Sequence, residues 1–414
     1  MFRSGDWLTR ERLRLWALAV LVASLAGLGY LIATATGLSD YQGRPIGTDF
    51  SNIYAAGTYV LDGTPALAFE PAAQHAREQA IFGADTPFFG WHYPPFLLFL
   101  AGALALMPYA VALVVWQAVT VLLYLGMLRA VLRSVPAIGG VALDAQPLWL
   151  LLALASPAAF INIFHGHNGF LTASLIGMAL VLLDRRPWLA GVLFGLLCYK
   201  PQFGVMIPLV LLATGRWRTF AAAAATVAAL ALVTTLAFGP EIWRAFLAST
   251  TFSRDVVLEQ GGTGWHKIQT MFSWVRMWGG GIPLAYAVQT TLTAALALAL
   301  VWLWRSRAAY PLKAAALIIA AVLATPYSLD YDFVALAPAI AFLAAHGFAR
   351  GFAPWEKTAL KLLWLMPLLA RSIAEYTLIP LGVPAMLLVF ALVLRRALTA
   401  PGTALRWHRA MAAK

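Results

Sequence analysis

Apolar and polar residues fall in long blocks along this chain rather than in single alternating positions. Apolar runs recur from Leu15 to Leu394, separated by short polar punctuation. A helix needs about 20 apolar residues to cross a bilayer, so the pattern predicts transmembrane helices. Several runs are shorter than that, and charge must decide which cross, because Lys and Arg collect on the cytoplasmic side. With Arg3, Arg10, Arg12 and Arg14 in the cytoplasm, eight spans are expected at about 15–36, 110–132, 146–164, 169–184, 188–199, 203–214, 217–238 and 284–304. Two more flank Thr325–Asp332, and the last two lie at about 359–374 and 378–394. The segment opening with Pro94-Pro95 reads as a short helix dipping into the outer leaflet. The tail carries Arg395, Arg396, Arg406, Arg409 and Lys414.

The expected fold is therefore an all-α polytopic membrane protein of about twelve spans, with both termini cytoplasmic. It forms one membrane domain over 1–414, with a first outer loop at 37–108 carrying interfacial helices and a second outer segment at 239–282. A signal peptide is the other reading of the N-terminus, given Ala33-Thr34-Ala35. The run is long enough to span, so a retained first helix is expected.

Composition agrees: 62% of the 414 residues are hydrophobic and 11% charged. The net charge of +12 raises the question of nucleic acid. Its basic residues come in ones to threes between apolar runs, which is the footprint of topology, so no nucleic-acid partner is expected. The lone cysteine, Cys198, excludes a disulfide framework and a cysteine zinc site. Acids do not follow the positive-inside rule, yet most of the 17 fall outside in this arrangement. His75, His92, His165, His167 and His266 accompany them. Chemistry or binding is expected on that face.

Five stretches carry candidate chemistry. In GTDFSNIYAAG, residues 47–57, the apolar face formed by Phe50, Ile53, Tyr54 and Gly57 predicts a helix along the outer interface. Asp49 at its start is either an N-cap or a general base whose pKa desolvation raises. In FGWHYPPF, residues 89–96, prolines start a helix, Tyr93 is an interface aromatic, and His92 is a surface histidine or a ligand. In NIFHGHNGF, residues 162–170, His165 and His167 are two apart and do not share a helix face as a zinc pair does. With Asn168 they read as a hydrogen-bonding loop. In CYKPQFG, residues 198–204, Lys200 interrupts an apolar run at a proline, and broken helices with an ion at the break mark membrane binding sites. Lys200 suits a phosphate, or else it snorkels to the interface. In TPYSLDYDF, residues 325–333, Asp330 and Asp332 either cap a helix or hold a divalent ion. No Walker, Rossmann, HExxH or GxSxG motif is present, so no soluble nucleotide substrate is expected, and no cofactor is expected.

In their order, Asp49, Tyr93-Pro94-Pro95, Gly166-His167-Asn168, Lys200-Pro201-Gln202 and Thr325-Pro326 resemble family-87 glycosyltransferases over about residues 40–345. These are polyprenyl-phosphate-mannose-dependent mannosyltransferases and their relatives, with the C-type glycosyltransferase fold. The resemblance implies a polyprenyl-phosphate-linked sugar donor, a glycolipid or glycan acceptor, and inverting transfer without metal. It implies Asp49 as base, with Lys200 and Gln202 at the donor phosphate. His92, Tyr93, His165, His167, Asn168, Asp330 and Asp332 would line the cavity. Two departures stand out. His167 replaces a usual glutamine, and Tyr331 and Asp332 stand where mannosyltransferases often carry histidines, so the donor sugar is mannose or another hexose. The expected setting is a bacterial plasma membrane, among membrane lipids, with the active site facing outward. A secondary transporter or lipid-linked sugar flippase is the rival reading, since it too would have many spans and broken helices.

Overall fold

The computed structural model describes residues 1–134 and 142–399; the basic residues Arg406, Arg409 and Lys414 lie outside that range. Among the described residues the chain is helical, with isolated bridges and no strand. After α1 (Arg10–Ala33), the segment 37–108 folds into α2 (Thr48–Leu61), α3 (Pro71–Phe82) and α4 (Leu97–Ala105). The bundle continues through α5 (Tyr109–Arg133), α6 (Leu148–Leu154), α7 (Pro157–His165), α8 (Gly169–Leu182), α9 (Pro187–Leu196), α10 (Pro201–Gly204), α11 (Met206–Ala213) and α12 (Trp217–Phe238). The segment 239–282 begins with α13 (Glu241–Phe252) and ends near α14 (Met271–Met277). Then follow α15 (Ile282–Arg305), α16 (Tyr310–Leu323), α17 (Ala337–Arg350), α18 (Glu356–Leu365), α19 (Pro367–Thr377) and α20 (Gly382–Thr399).

Proline sets many of the starts. It occupies the first turn of α3, α7, α9, α10, α15, α16, α17 and α19, where its missing N–H costs nothing. Pro157 also divides one expected span into α6 and α7, bent by 44°.

Six helices are long and apolar enough to cross a membrane, or seven if that bent pair is one span. Four further apolar helical stretches are shorter: Gly169–Leu182, Pro187–Tyr199, Pro201–Ala213 and Tyr310–Leu323. A 14-residue helix such as α8 reaches only about 21 Å, against a hydrocarbon core of about 30 Å. Of these, α8 and α16 are mostly buried, whereas α9 exposes Trp188 and Leu189, and the α10–α11 stretch exposes Val205 and Leu212. Along α16, Ala314, Ala315, Ala316, Ile318, Ile319 and Ala320 are all fully buried, and the helix is wrapped by α15, α17 and α20. At the other extreme, α1 buries only Ala17.

Small residues bring α9 and α12 together. A Cβ at Gly191 would lie 2.4 Å from the Thr219 carbonyl oxygen, and one at Gly195 would lie 2.6 Å from the Thr226 side chain. The two glycines are four residues apart, the spacing that lets membrane helices touch backbone to backbone.

The helix containing Asp49 is α2, as the periodicity predicts, but it is packed into the protein on both sides. Phe50, Ile53, Ala56 and Tyr59 are buried, and so are Ser51 and Asn52. It lies against α4, and α3 reaches it through Gln74, which donates to the Asn52 carbonyl at 3.1 Å.

Candidate functional site

The N-cap of α2 is Gly47, and no side chain caps the helix. Asp49, one residue inside it, has no side-chain hydrogen bond and no ion pair among the described residues, and its Oδ2 is buried without a partner. The capping role is therefore not the one its geometry takes. An unpaired buried carboxylate is costly in its charged form. Burial pushes the Asp49 carboxyl up to about 7; the Lys200 charge opposes this, Asp332 and Asp330 add to it, and Arg371 opposes it. Its neighbour Thr48 meets His165 Nδ1 at 2.6 Å, which ties the start of α2 to the end of α7.

Gly166 ends α7 in the left-handed conformation, φ 61°. A residue with a Cβ is strained there, and the turn lets the chain double back so that His167 N donates to the Asn162 carbonyl at 3.0 Å. With its amide turned so that the oxygen faces His167 Nδ1, the Asn162 side chain donates to the His167 carbonyl at 2.9 Å and accepts from His167 Nδ1 at 3.3 Å and Gly169 N at 3.1 Å. With the proton on Nδ1, the His167 Nε2 is left to accept from Lys200 Nζ at 3.2 Å.

Lys200 does not snorkel. It is 4% exposed and donates to Asp332 Oδ1 at 2.6 Å. Asp332 Oδ2 in turn accepts from Leu329 N at 3.0 Å. Asp330 turns the other way, to Arg371 Nη2 at 2.9 Å. The Asp330/Asp332 pair thus holds a lysine and an arginine rather than converging on one point. Tyr331, between them, stacks on His167 with ring centroids 3.8 Å apart. Asn168 lies beside the Tyr93 hydroxyl, with neither polar atom of its amide held in a full hydrogen bond. Its carbonyl accepts from the Tyr199 hydroxyl at 3.1 Å.

The structure therefore gathers Asp49, Tyr93, His165, His167, Asn168, Lys200, Asp330 and Asp332. It does not bring every expected residue there. His92 is exposed and meets the Ser253 hydroxyl at 2.8 Å, so it ties the loop ahead of α4 to the stretch that follows α13. Gln202, on α10, has no hydrogen bond among the described residues.

Four contributors were not singled out from the sequence. Arg371, Lys267 and Arg44 lie within electrostatic reach of His165 together with Asp330. Lys267 is placed by a short antiparallel contact between the stretch ahead of α14 and the turn that precedes α17. Ile268 bridges Leu329, Gln269 N donates to the Ser328 carbonyl at 2.8 Å, and Thr270 Oγ1 donates to the Pro326 carbonyl at 3.0 Å. Burial, then the Arg371 and Arg44 charges, hold the Lys267 pKa below its ordinary value. Arg44 is presented by a loop folded on Asp40, whose Oδ1 accepts from Gln42 N and Arg44 N, both at 2.9 Å. Charge at loop positions carries no periodic signal, so only the turn-forming Asp40-x-Gln-type spacing hinted at it. The fourth is Glu78 on α3, fully buried. It accepts from Phe89 N at 3.0 Å and Gly90 N at 3.2 Å, which fixes the loop leading to Tyr93. Burial pushes its carboxyl up to about 7.

The arrangement offers an unpaired carboxylate of near-neutral pKa beside a set of cations, two of which, Lys267 and Arg44, have no carboxylate within ion-pair distance among the described residues. That combination suits removal of a proton from a hydroxyl and neutralisation of a departing anion. Comparison with known proteins bears on this chemistry. Residues 91–326, more than half of the chain, match the model of glycosyltransferase family 87. No curated protein and no solved structure matches the chain.

Proposed function

The chain belongs to glycosyltransferase family 87, and from that premise we propose that it transfers a hexose, mannose or a close analogue, from a polyprenyl-phosphate donor to a hydroxyl of a glycolipid or glycan. The observation that carries this reading is the lone Asp49 carboxylate at the head of α2, raised to about 7 and faced by Lys200 and Arg371.

In this reading Asp49 takes the acceptor hydroxyl proton as that oxygen attacks the anomeric carbon. The bond from the anomeric carbon to the phosphate oxygen breaks, and the phosphate leaves on its polyprenyl chain. A single displacement of this kind inverts the anomeric configuration. Charge builds on the sugar ring as oxocarbenium character and on the departing phosphate. Lys200 and Arg371 already share their charges with Asp332 and Asp330, so the phosphate is assigned first to Lys267 and Arg44. Lys200 is then the deeper cation that fixes Asp332 and lowers the cost of ionising Asp49. Gln202, on the same helix break, is proposed to reach the phosphate. Tyr93, His165, His167 and Asn168 line the sugar side, and His92 holds the two outer segments together at its rim. No metal is needed in this scheme, since side-chain cations do the neutralising.

The setting proposed is a bacterial plasma membrane, with about twelve crossings, both termini cytoplasmic and the site outside. Placing the acids and histidines on the face opposite Arg305, Arg307, Arg350 and Lys357 supports this arrangement. No observation favours the transporter or flippase reading. The test is transfer of radiolabelled sugar from polyprenyl-phosphate mannose by purified protein in lipid, with EDTA present. Product from wild type supports the proposal, and a Lys267→Ala variant is expected to raise KM for the donor roughly tenfold or more, as loss of a charge-assisted contact does. Donor movement across a vesicle bilayer without any glycosylated product would overturn it in favour of transport.

A further inference from the structure

A cavity of about 440 Å³ lies between α1 and the body of the bundle, apart from the polar cluster. Its walls come mainly from α1, α5, α6, α17 and α18, and they are mostly apolar. The volume falls within the range of small-molecule sites. The cavity is elongated, because Phe333, Ala337, Ala341, Ala344 and Phe348 follow one another down its wall. From Phe333 to Phe348 that run covers about 20 Å, more than the depth of one leaflet.

The two ends differ. Phe333 adjoins Asp332 and marks the end nearest the polar cluster. At the opposite end Arg10, Lys357 and Lys361 line the cavity, and no carboxylate lies within ion-pair distance of any of them among the described residues. The nearby Glu356 is taken by Arg396. Lys361 sits on the Trp16 ring, 3.1 Å from its centroid, which holds α1 against α18. Otherwise α1 touches little beyond α6 and α7, and its outward leucines are exposed. One wall of the cavity is thus a loosely held helix facing the surrounding lipid.

We propose that this slot is a binding site for an anionic phospholipid of the bilayer. The head group sits on Arg10, Lys357 and Lys361, and an acyl chain runs up the slot toward Phe333. Three observations select this occupant. The slot is apolar and longer than a leaflet is deep, which suits a hydrocarbon chain. Its basic end holds cations with no carboxylate partner among the described residues, and basic pockets between membrane helices recruit anionic head groups. The charges acting on Asp49 are those of Lys200, Asp332, Asp330 and Arg371, and none of them lines the slot, so its basic end is separate from the site of transfer. The proposal concerns a second lipid, independent of the transfer reaction.

The test uses the full chain in detergent. Bound lipid is counted by native mass spectrometry, and thermal unfolding is followed as phosphatidylglycerol or phosphatidylcholine of identical chains is added. Wild type is expected to retain phosphatidylglycerol and to gain several degrees in Tm from it, with little response to phosphatidylcholine. Arg10→Gln with Lys357→Gln, which leaves the Lys361–Trp16 contact in place, should weaken phosphatidylglycerol binding at least tenfold. Ala341→Phe should block it with all charges intact. Lipid-free Tm values of the variants within a few degrees of wild type show that they are folded, and if Ala341→Phe fails this check, Ala344→Leu replaces it. Equal response to the two phospholipids, or no effect of the charge variant, overturns the proposal. So does displacement of phosphatidylglycerol by an equimolar amount of polyprenyl phosphate, which would make the slot part of the donor site.

Discussion

Lys200 and Asp332 stand 132 positions apart in sequence and meet at 2.6 Å in the interior. Removing one member of such a pair leaves an uncompensated buried charge, which costs about 3–5 kcal/mol, whereas replacing both with apolar residues costs far less. Lys200→Met alone and Asp332→Leu alone are thus each expected to lower Tm sharply in detergent, and the double variant to recover most of the loss. Equal additive losses in all three would show that the pair is not a unit. Asp49 behaves in the opposite way, because its carboxyl is raised from 3.8 to about 7. The folded state then holds a proton that the unfolded state has lost, so stability falls as pH rises from about 4 to about 7. Asp49→Asn removes that penalty, and its Tm at pH 8 should equal or exceed that of wild type. From the sequence Lys200 was legible as an anomaly, since a lysine in an apolar run demands an explanation. Its partner was not, because Asp330 and Asp332 read equally well as helix caps or an ion site. Only the fold sends one to Lys200 and the other to Arg371.

At the level of elements, helix positions were readable and their packing was not. The apolar runs locate α1, α5, α12 and α15 to within a few residues, because each has nothing but lipid and helix neighbours to satisfy. For α2 the periodicity gave the helix but placed it on the surface. Its polar side is buried by Gln74 and the loop fixed by Glu78, residues with no apolar rhythm to betray them. Close packing between α9 and α12 rests on Gly191 and Gly195, which a scan for apolar runs passes over. Gly195→Leu should force the two helices apart, since a Cβ there already lies 2.8 Å from the Ala223 carbonyl oxygen. A fall in Tm of several degrees, with smaller loss for Gly195→Ala, is the expected result of overpacking. An unchanged Tm would mean that the contact is slack.

For the whole molecule, the polar cluster, the second outer segment and the basic slot divide the protein along its helix axes. If the proposed sidedness holds, a membrane-impermeant thiol reagent added to intact cells should label Arg44→Cys and not Arg350→Cys, in a Cys198→Ser background. The reverse labelling would invert the protein and put the site in the cytoplasm. Class and family were legible at this scale because apolar blocks and the order of five short motifs survive without any knowledge of contacts. The cation set was not, since Arg44, Lys267 and Arg371 come from three distant segments that only tertiary structure assembles. The central claim is that Asp49 is the base of a glycosyl transfer, and the most direct measurement is kcat/KM for transfer from polyprenyl-phosphate mannose between pH 5 and 9, for wild type and Asp49→Asn. The account predicts a wild-type rate that rises with pH through an apparent pKa near 7, and a loss of about 10²–10⁴-fold with no such limb in the variant. A flat wild-type profile, or a variant that transfers sugar as fast as wild type, would contradict it.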